Sequence, residues 1–308
     1  MSSPSDNSAI ATIATGKPYI GRFAPSPTGP LHFGSLLAAL VSYLDARHHG
    51  GQWLVRVEDI DPPREIKGAS DQILRSLEAH GLHWDQDVRF QRHSDALHNA
   101  ALEHLKNTGN TFHCRCARKT LIADGHSRRY PGICRLQGHT DGAVRVRVTD
   151  TPLTVTDRWQ SPLHIRLDES PGDFIVKRRD ALIAYQLAVV VDDADQAITH
   201  IVRGHDLYES TPRQMWLQHL LGLDTPQYAH FPVLVGADGH KLSKQTGAPA
   251  LDDTQPENNL KQCFRWLELD DDAALPDGDV ETQIDWAISR YRPDSMTGKT
   301  EIKLSTKN

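Results

Sequence analysis

The chain has 308 residues, of which 38% are hydrophobic and 24% charged, and its formal net charge is −6. This composition is ordinary for a globular protein of one or two domains, and the negative charge argues against a protein that coats nucleic acid indiscriminately. The sequence contains no apolar run near the roughly 20 residues of a membrane-spanning helix. Its four unevenly spaced cysteines do not indicate a disulfide framework. We therefore expect a cytoplasmic protein without membrane contact.

The N-terminal part of the chain predicts a tail followed by a βαβ unit. Residues 1–17 lack the basic start and the apolar stretch of a secretory signal, which predicts a flexible tail. Tyr19–Phe23 is predicted as a buried strand and Trp53–Val57 as a second one. Between them, apolar residues at helical spacing predict a helix over Ser35–His48, with Ser35 as its N-cap. This order implies parallel strands and a right-handed crossover.

Further helices and strands are predicted along the rest of the chain. Apolar residues at helical spacing predict helices over Ala69–His80, Ser94–Thr108 and Thr211–Leu221. Val144–Val148 alternates with arginine, which predicts an exposed antiparallel strand. The continuous apolar run Leu187–Val191 predicts a strand buried on both faces, and Phe231–Val235 predicts another short strand. From Arg292 onward the sequence is polar and a frayed end is expected.

The first motif runs from Ala24 to Gly34 and reads Ala-Pro-Ser-Pro-Thr-Gly-Pro-Leu-His-Phe-Gly. It follows the first predicted strand, and ligands of open α/β sheets bind at the carboxyl ends of strands. Gly29 and Gly34 would let the backbone approach a phosphate, and the following helix offers free N–H groups to an anion. His32 can donate a hydrogen bond to a phosphate oxygen. A lone histidine is more often structural, but the surrounding motif favours a nucleotide site.

The second motif is Lys241-Leu242-Ser243-Lys244-Gln245, and it follows a Gly-Ala-Asp-Gly turn at 236–239. Two lysines in such a loop can close on a triphosphate and stabilise the charge that develops at its α-phosphate. Taken alone, the motif would indicate an exposed basic loop. Together, the two motifs predict ATP binding and attack at the α-phosphate.

The two motifs resemble the His-Ile-Gly-His and Lys-Met-Ser-Lys-Ser signatures of class I aminoacyl-tRNA synthetases. Residues 21–29 and 56–64 resemble the glutamyl branch in particular, and the resemblance extends from about Tyr19 to Ala250. Ser35 and Gln245 depart from the signatures at positions where that branch varies. The resemblance implies an α/β fold with a Rossmann-like catalytic domain, whose halves we place at 18–112 and 151–250.

The resemblance also implies the residues that bind the substrates. Catalytic roles fall on His32, Lys241 and Lys244, and ATP with Mg²⁺ would be bound by Ser26, Gly29, His32, Gly34 and Lys244. Glutamate would be bound by Arg22, Phe23, Ala24, Pro25, Ser26, Glu58, Tyr185 and Arg203. Glu58 would meet the ammonium group, and an arginine such as Arg203 can hold a carboxylate through two hydrogen bonds. The alternative for Glu58 and Arg203 is a structural ion pair with each other.

Three cysteines, Cys114, Cys116 and Cys134, predict a structural zinc site in an arginine-rich insertion at 113–150. Spacing alone leaves the fourth ligand open among His113, His126, Tyr130 and His139. The resemblance points to Tyr130, because one synthetase-like subfamily completes its site with a Tyr-x-x-x-Cys arrangement. The alternative is three reduced thiols in a loop. The basic residues of the insertion suit contact with an RNA backbone.

After Gln245 the chain has 308 − 245 = 63 residues. We expect a small helical part at 251–291 and a flexible tail at 292–308, which are too short for the anticodon-binding region of a full glutamyl-tRNA synthetase. The sequence resembles the family of glutamyl-Q tRNA(Asp) synthetases. That family uses ATP to activate glutamate and transfers it to the cyclopentenediol ring of queuosine in the anticodon loop of tRNA(Asp).

By resemblance we expect a monomer. Two alternatives stay open. One is a truncated glutamyl-tRNA synthetase that charges the 3′ end of tRNA(Glu) or tRNA(Gln), and the other is a non-catalytic, zinc-stabilised RNA-binding protein.

Overall fold

A computed structural model describes residues 17–236, 238–242, 249–270 and 277–304. The α-helices in these ranges are α1 Phe33–His48, α2 Ala69–Ala79, α3 Asp95–Asn107, α4 Arg118–Ala123, α5 Tyr185–Asp195, α6 Thr211–Leu221, α7 Pro256–Trp266 and α8 Val280–Arg290. The strands are β1 Ile20–Phe23, β2 Gln52–Val57, β3 Arg89–Phe90, β4 Thr111–Cys114, β5 Ala143–Val146, β6 Pro152–Val155, β7 Leu163–Arg166, β8 Phe174–Lys177, β9 His200–Gly204, β10 Gln227–Phe231, β11 Val233–Val235 and β12 Glu301–Lys303. Short 3₁₀-helices occupy Pro62–Arg64, Gln91–Ser94, His205–Ser210 and Pro293–Met296.

The predicted βαβ unit is confirmed. Strands β1 and β2 are parallel, and α1 connects them. Strand β3 extends this sheet along β2, while β9 and β10 form a second parallel pair. The two sheets adjoin where the Thr199 amide donates to the Ile20 carbonyl, with an N–O distance of 2.9 Å. The carboxyl ends of β1 and β9 carry Phe23 and Gly204, and both of these residues line the cavity described below.

Helix α1 is buried over most of its length because it packs between the parallel strands and the C-terminal helices. Its leucines share one core with Trp53 of β2 and with Phe264 of α7 and Ile284 of α8. The helix begins at Phe33 with His32 as its N-cap, so the predicted N-cap, Ser35, is wrong by three positions. The reason is that the His32 side chain itself accepts a hydrogen bond from the Ser35 amide.

The predicted strand at Leu187–Val191 is wrong, because these residues belong to helix α5. A run of five apolar residues fits a buried helix as well as a buried strand, since hydrophobicity on every side hides the period. Residues of α5 pack in one core with Leu102 and Leu105 of α3 and with Leu217 of α6. The predicted helices at Ala69–His80, Ser94–Thr108 and Thr211–Leu221 are confirmed as α2, α3 and α6, within one residue at each end.

Strand β5 is antiparallel as predicted, but it is not exposed. It lies between β4 and β8, and Arg145 at its centre is buried. The Arg145 guanidinium carbon lies 3.8 Å from the centre of the Tyr130 ring, and Nη1 donates to the Asp173 carbonyl at 2.7 Å. A ring face and a carbonyl oxygen thus compensate a charge that the alternating pattern assigned to solvent.

The C-terminal segment also differs from its prediction. Residues 293–296 form a 3₁₀-helix, and β12 pairs in parallel with β11, so this part of the predicted tail is ordered. The predicted strand Phe231–Val235 is split between β10 and β11 because Pro232, between them, cannot donate a ladder hydrogen bond. Residues 1–16 and 305–308 lie outside the described ranges. No described helix is long and apolar enough to cross a membrane.

The Asp45 carboxylate joins distant parts of the fold inside the core. It accepts two hydrogen bonds from the Arg158 guanidinium, at 2.6 and 3.0 Å, and one from the Tyr291 hydroxyl at 3.2 Å. The Tyr19 hydroxyl donates to the same carboxylate, which is fully buried. Helix α1 is therefore tied to the residues before β1, to the segment after β6 and to the end of α8.

We expect Asp45→Ala to lower the free energy of unfolding by about 3–5 kcal/mol, because it leaves a largely buried guanidinium without its carboxylate. Urea unfolding at neutral pH measures this. The matched control is Asp87→Ala, at an exposed site, which should change the free energy by no more than about 0.5 kcal/mol. Equal losses in the two variants would contradict the assigned role of Asp45.

Candidate active site and metal centre

A cavity of about 760 Å³ lies at the carboxyl ends of β1 and β9. The predicted glutamate-binding residues all line it: Arg22, Phe23, Ala24, Pro25, Ser26, Glu58, Tyr185 and Arg203. Among the predicted nucleotide-binding and catalytic residues, it is also lined by His32, Gly34 and Lys241. Lys244 lies outside the described residues, together with Ser243 and Gln245. The first motif and the start of the second therefore share one cavity.

Close backbone contact joins the two motifs at Gly34. A Cβ atom on Gly34 would lie 3.1 Å from the Leu242 carbonyl oxygen and 3.0 Å from Cε1 of His32. Any larger residue would crowd the start of α1 against the lysine motif. Gly29 is not among the lining residues, and its φ of 131° shows that the loop needs a glycine there for its backbone path.

The start of α1 has the features of an anion site. His32 is 9% exposed, and its Nδ1 accepts from the Ser35 amide at 3.3 Å. The first turn of a helix leaves backbone N–H groups without intrahelical partners, which favours negative charge. The Lys241 ammonium contacts the Asp206 carboxylate at 2.5 Å, and both residues line the cavity. The cavity thus has both helix N–H groups and a lysine, which suit a polyphosphate.

A buried charge cluster lies beneath the predicted glutamate subsite. Asp193 of α5 accepts from Arg22 Nε at 3.1 Å and pairs with Arg56 Nη1 at 2.8 Å. Arg56 also contacts Glu58 at 3.4 Å. Burial raises the pKa of Asp193, but the charges of Arg22 and Arg56 outweigh it, so the pKa is lowered overall. Burial raises the pKa of Glu58, and Arg56 and Arg22 offset this only in part.

Asp193 was missed by the sequence analysis. The available signal was the pair Asp192-Asp193 directly after an apolar run, which is unusual because carboxylates are rarely buried without partners. If that run formed a strand, Asp192 and Asp193 would lie in the loop after it. In the helix both acids are buried: Asp193 pairs with Arg22 and Arg56, and Asp192 contacts Gln91 and His98.

Arg203 has only neutral partners among the described residues. Its Nε donates to His230 Nε2 at 2.9 Å, Nη1 to Gln214 at 2.8 Å, and Nη2 to the Thr211 hydroxyl at 2.8 Å and to the Leu207 carbonyl at 3.4 Å. Because Glu58 pairs with Arg56 instead, the alternative of a structural Glu58–Arg203 ion pair is wrong. Arg203 is 5% exposed and lines the cavity, where its charge is available to an anionic ligand.

Cys114, Cys116 and Cys134 form a compact cluster in which the three sulfur atoms lie within 4.8 Å of one another. The Tyr130 hydroxyl lies 3.4 Å from the Cys114 sulfur and 4.0 Å from the Cys116 sulfur. Ligands of a tetrahedral zinc ion lie roughly 3.5–3.8 Å apart, so three sulfurs and the phenol oxygen fit such a site. Among the described residues, no histidine joins the cluster, which leaves His113, His126 and His139 outside it.

The surrounding structure supports the cysteine cluster in two ways. Gly142 and Gly172 have positive φ, and a Cβ on either would lie within 2.6 Å of the carbonyl oxygen of Cys114 or of Tyr130 respectively. Burial raises the pKa of the Cys114 thiol, but hydrogen bonds with Tyr130 and Arg145 outweigh it and bring the pKa to about 7. A thiol with this pKa is readily deprotonated, as a zinc ligand must be.

The sequence and the fold are similar to those of known proteins. The chain matches the family described as tRNA synthetases class I (E and Q), catalytic domain, over residues 20–262. The chain belongs to this family. Helix α8 and strand β12 lie beyond the matched region. Helix α8 packs on α1, and β12 pairs with β11.

Two curated relatives from different Pseudomonas species carry the same name. The chain is 46% identical over 290 residues to the glutamyl-Q tRNA(Asp) synthetase of Pseudomonas putida (strain GB-1), covering 94% of this chain and 98% of that protein. It is 47% identical over 275 residues to the protein of the same name from Pseudomonas aeruginosa (strain PAO1), covering 89% and 93%.

Solved class I synthetases confirm the predicted fold. A glutamate tRNA ligase from Elizabethkingia meningosepticum, determined in complex with its amino acid, superposes with a TM-score of 0.75 at 22% identity. Glutamate-tRNA synthetase from Elizabethkingia anophelis gives 0.76 at 21% identity. Each match covers 94% of this chain, and it covers 67% and 68% of the respective synthetases.

We expect Asp193→Asn to lower the free energy of unfolding by about 3–5 kcal/mol at neutral pH, because two buried guanidinium groups lose their shared carboxylate. The pKa of Asp193 is lower in the folded state than in the unfolded state. Its stabilisation is therefore complete above the unfolded pKa of about 3.9 and is lost as the pH falls through the lower, folded value.

Denaturant unfolding of parent and variant between neutral and acidic pH measures this difference. The gap between them should narrow below about pH 4. Asp195→Asn is the matched control on the same helix, because Asp195 pairs with Arg89 at the surface and should contribute about 1 kcal/mol or less. A gap for Asp193→Asn that does not depend on pH would contradict the assignment.

Proposed function

We propose that this chain activates L-glutamate with ATP and transfers it to queuosine in the anticodon loop of tRNA(Asp). The observation that supports this most strongly is the 46% identity to the glutamyl-Q tRNA(Asp) synthetase of Pseudomonas putida (strain GB-1), across 98% of that protein's length. The cavity supports the proposal because residues suited to an amino acid and residues suited to a polyphosphate line the same space. The reaction belongs in the cytoplasm, and the free cysteines of the chain fit a reducing compartment.

Glutamate carries two carboxylates and one ammonium group, and the cavity offers groups of opposite charge. Glu58 receives the ammonium group, and Arg203 holds a carboxylate. Tyr185, at the start of α5, and the segment Arg22–Ser26 form the walls of this subsite. Arg22 shapes the wall while Asp193 balances its charge.

ATP lies with its phosphates at the N-terminal end of α1, close to His32. One oxygen of the glutamate α-carboxylate attacks the α-phosphorus, and the bond from this phosphorus to the bridging oxygen of pyrophosphate breaks. No side chain acts as a nucleophile, so catalysis comes from positioning and from stabilisation of negative charge. His32, Lys241 and Lys244 supply that stabilisation, and Mg²⁺ accompanies the triphosphate.

In the second step, a hydroxyl of the cyclopentenediol ring of queuosine attacks the carbonyl carbon of glutamyl-adenylate. A new ester bond forms, AMP leaves, and the hydroxyl proton is released. The zinc-bearing insertion supplies a basic surface for the RNA: Arg118, Lys119 and Arg128 are exposed there. These charges suit phosphate contacts that position a folded RNA.

Structural zinc bound by Cys114, Cys116, Cys134 and Tyr130 is part of the proposal. The part of the insertion around these residues has a small hydrophobic cluster with Phe112 and Leu121, whereas strand β5 packs in a different core. Bound zinc would supply the remaining stability and fix the basic surface relative to β4 and β5.

The experiment that tests the function compares labelled glutamate transfer to tRNA(Asp) with and without queuosine. We expect label only on the queuosine-containing tRNA, and none on tRNA(Glu) or tRNA(Gln). Label on the 3′ ends of the latter two would instead establish the truncated synthetase. Glutamate-dependent exchange of pyrophosphate into ATP, measured alongside, excludes the non-catalytic RNA-binding protein if it occurs.

We expect Tyr130→Phe and Cys134→Ser to lower the zinc content of the purified protein, because each removes one ligand atom while nearly keeping the side-chain volume. Metal analysis by mass spectrometry measures this. Cys263→Ser is the matched control, since Cys263 is buried in a separate core and should not affect zinc. A parent protein that binds no zinc would end the proposal for this site.

A further inference from the structure

The contacts of Arg203 have a feature that its role as a carboxylate ligand does not explain. A guanidinium group has five N–H donors, and four hydrogen bonds to described residues use Nε, both Nη2 hydrogens and one Nη1 hydrogen. One Nη1 donor is left on the side chain that lines the cavity. A buried cation normally has a carboxylate in direct contact, yet here its acceptors are neutral.

The compensating negative charge is on Asp157, which contacts His230, a partner of Arg203, and not Arg203 itself. His230 is the register partner of Arg203 on the neighbouring strand, and its Nε2 accepts the bond from Arg203 Nε. Its other ring nitrogen, Nδ1, lies 2.6 Å from Oδ2 of Asp157. Both side chains of this His230–Asp157 pair are fully buried. Since Nε2 accepts, Nδ1 must carry the hydrogen and donate it to Asp157.

The charges of this chain of groups follow from its surroundings. Burial lowers the pKa of His230 to about 4, although the hydrogen bond with Asp157 opposes this, so the imidazole is neutral near pH 7. Burial raises the pKa of Asp157, but its bonds with His230 and with the Trp159 amide lower it overall, so it is ionised. The Trp159 and Gln160 amides donate to Oδ1 at 3.0 Å and hold the carboxylate in place.

We propose that Asp157 and His230 are positioning residues that orient Arg203 for a carboxylate of glutamate, an inference that rests on the proposed function. The imidazole fixes the Nε side of the guanidinium and leaves the second Nη1 hydrogen for the ligand. A carboxylate in direct contact with Arg203 would compensate its charge, but it would also compete with the substrate for the same donors. Through the neutral imidazole, Asp157 stabilises the cation without occupying them.

The competing explanation is that the pair only holds the fold together, because it also connects β10 with the segment after β6. A purely structural role would affect glutamate and ATP alike, whereas a positioning role affects glutamate. The chain offers a matched comparison in His98, which lies 3.1 Å from Asp192 in another fully buried His–Asp pair and is not among the residues that line the cavity.

The test measures KM for glutamate and for ATP by pyrophosphate exchange in the parent and in His230→Asn, His230→Gln and His98→Asn. An asparagine amide reaches the place of Nδ1 and can still donate to Asp157, but it offers Arg203 no acceptor. A glutamine amide reaches the place of Nε2. We expect His230→Asn to raise the KM for glutamate by about tenfold or more and that for ATP by less than about twofold. His230→Gln should restore part of the loss.

His98→Asn should leave the KM for glutamate near the parent value even where it lowers stability. Equal increases of both KM values in His230→Asn, or no rescue by glutamine, would overturn the inference. Asp157→Asn is a second variant should His230→Asn not fold, and an unchanged KM for glutamate in it would overturn the inference as well. Absence of glutamate-dependent exchange in the parent would instead refute the proposed function itself.

Discussion

A charge buried in a protein has to be compensated, and the region beneath the cavity is organised by this constraint. The Asp193 carboxylate compensates Arg22 and Arg56, and Arg56 in turn contacts Glu58. The charge of Arg203 is compensated indirectly by Asp157, because His230 lies between the two side chains. The result is a subsite in which the cation Arg203 and the anion Glu58 face the cavity without contacting each other, as a ligand with carboxylate and ammonium groups requires.

The sequence predicts those parts of the structure that depend on local patterns. The βαβ unit and the two motifs are local patterns, so their strands, their helix and their position at the carboxyl edge followed from the residues. The fold class and the family also followed, because the motif around Arg22–Gly29 is specific. Helix α5 could not be predicted from periodicity, since its apolar run is buried on every side, and with it the role of Asp193 was lost.

Interactions that depend on strand register or on contacts between distant segments could not be predicted from the sequence. That His230 lies beside Arg203 depends on how β10 pairs with β9, and that Asp157 reaches His230 depends on the path of the segment after β6. Arg145 appeared to belong on a solvent-facing strand because alternation shows which residues share a face, not what covers it. In the structure, Tyr130 covers it, and the fourth proposed zinc ligand is thereby held in place.

The central claim of this account is that glutamate activated in the cavity is transferred to an anticodon nucleoside. The most direct measurement is transfer of labelled glutamate to an isolated anticodon stem-loop of tRNA(Asp) that carries queuosine and has no acceptor stem. The account predicts that this stem-loop is labelled and that the same stem-loop with guanosine in place of queuosine is not. A stem-loop that stays unlabelled while intact tRNA(Asp) is labelled at its 3′ end would contradict it.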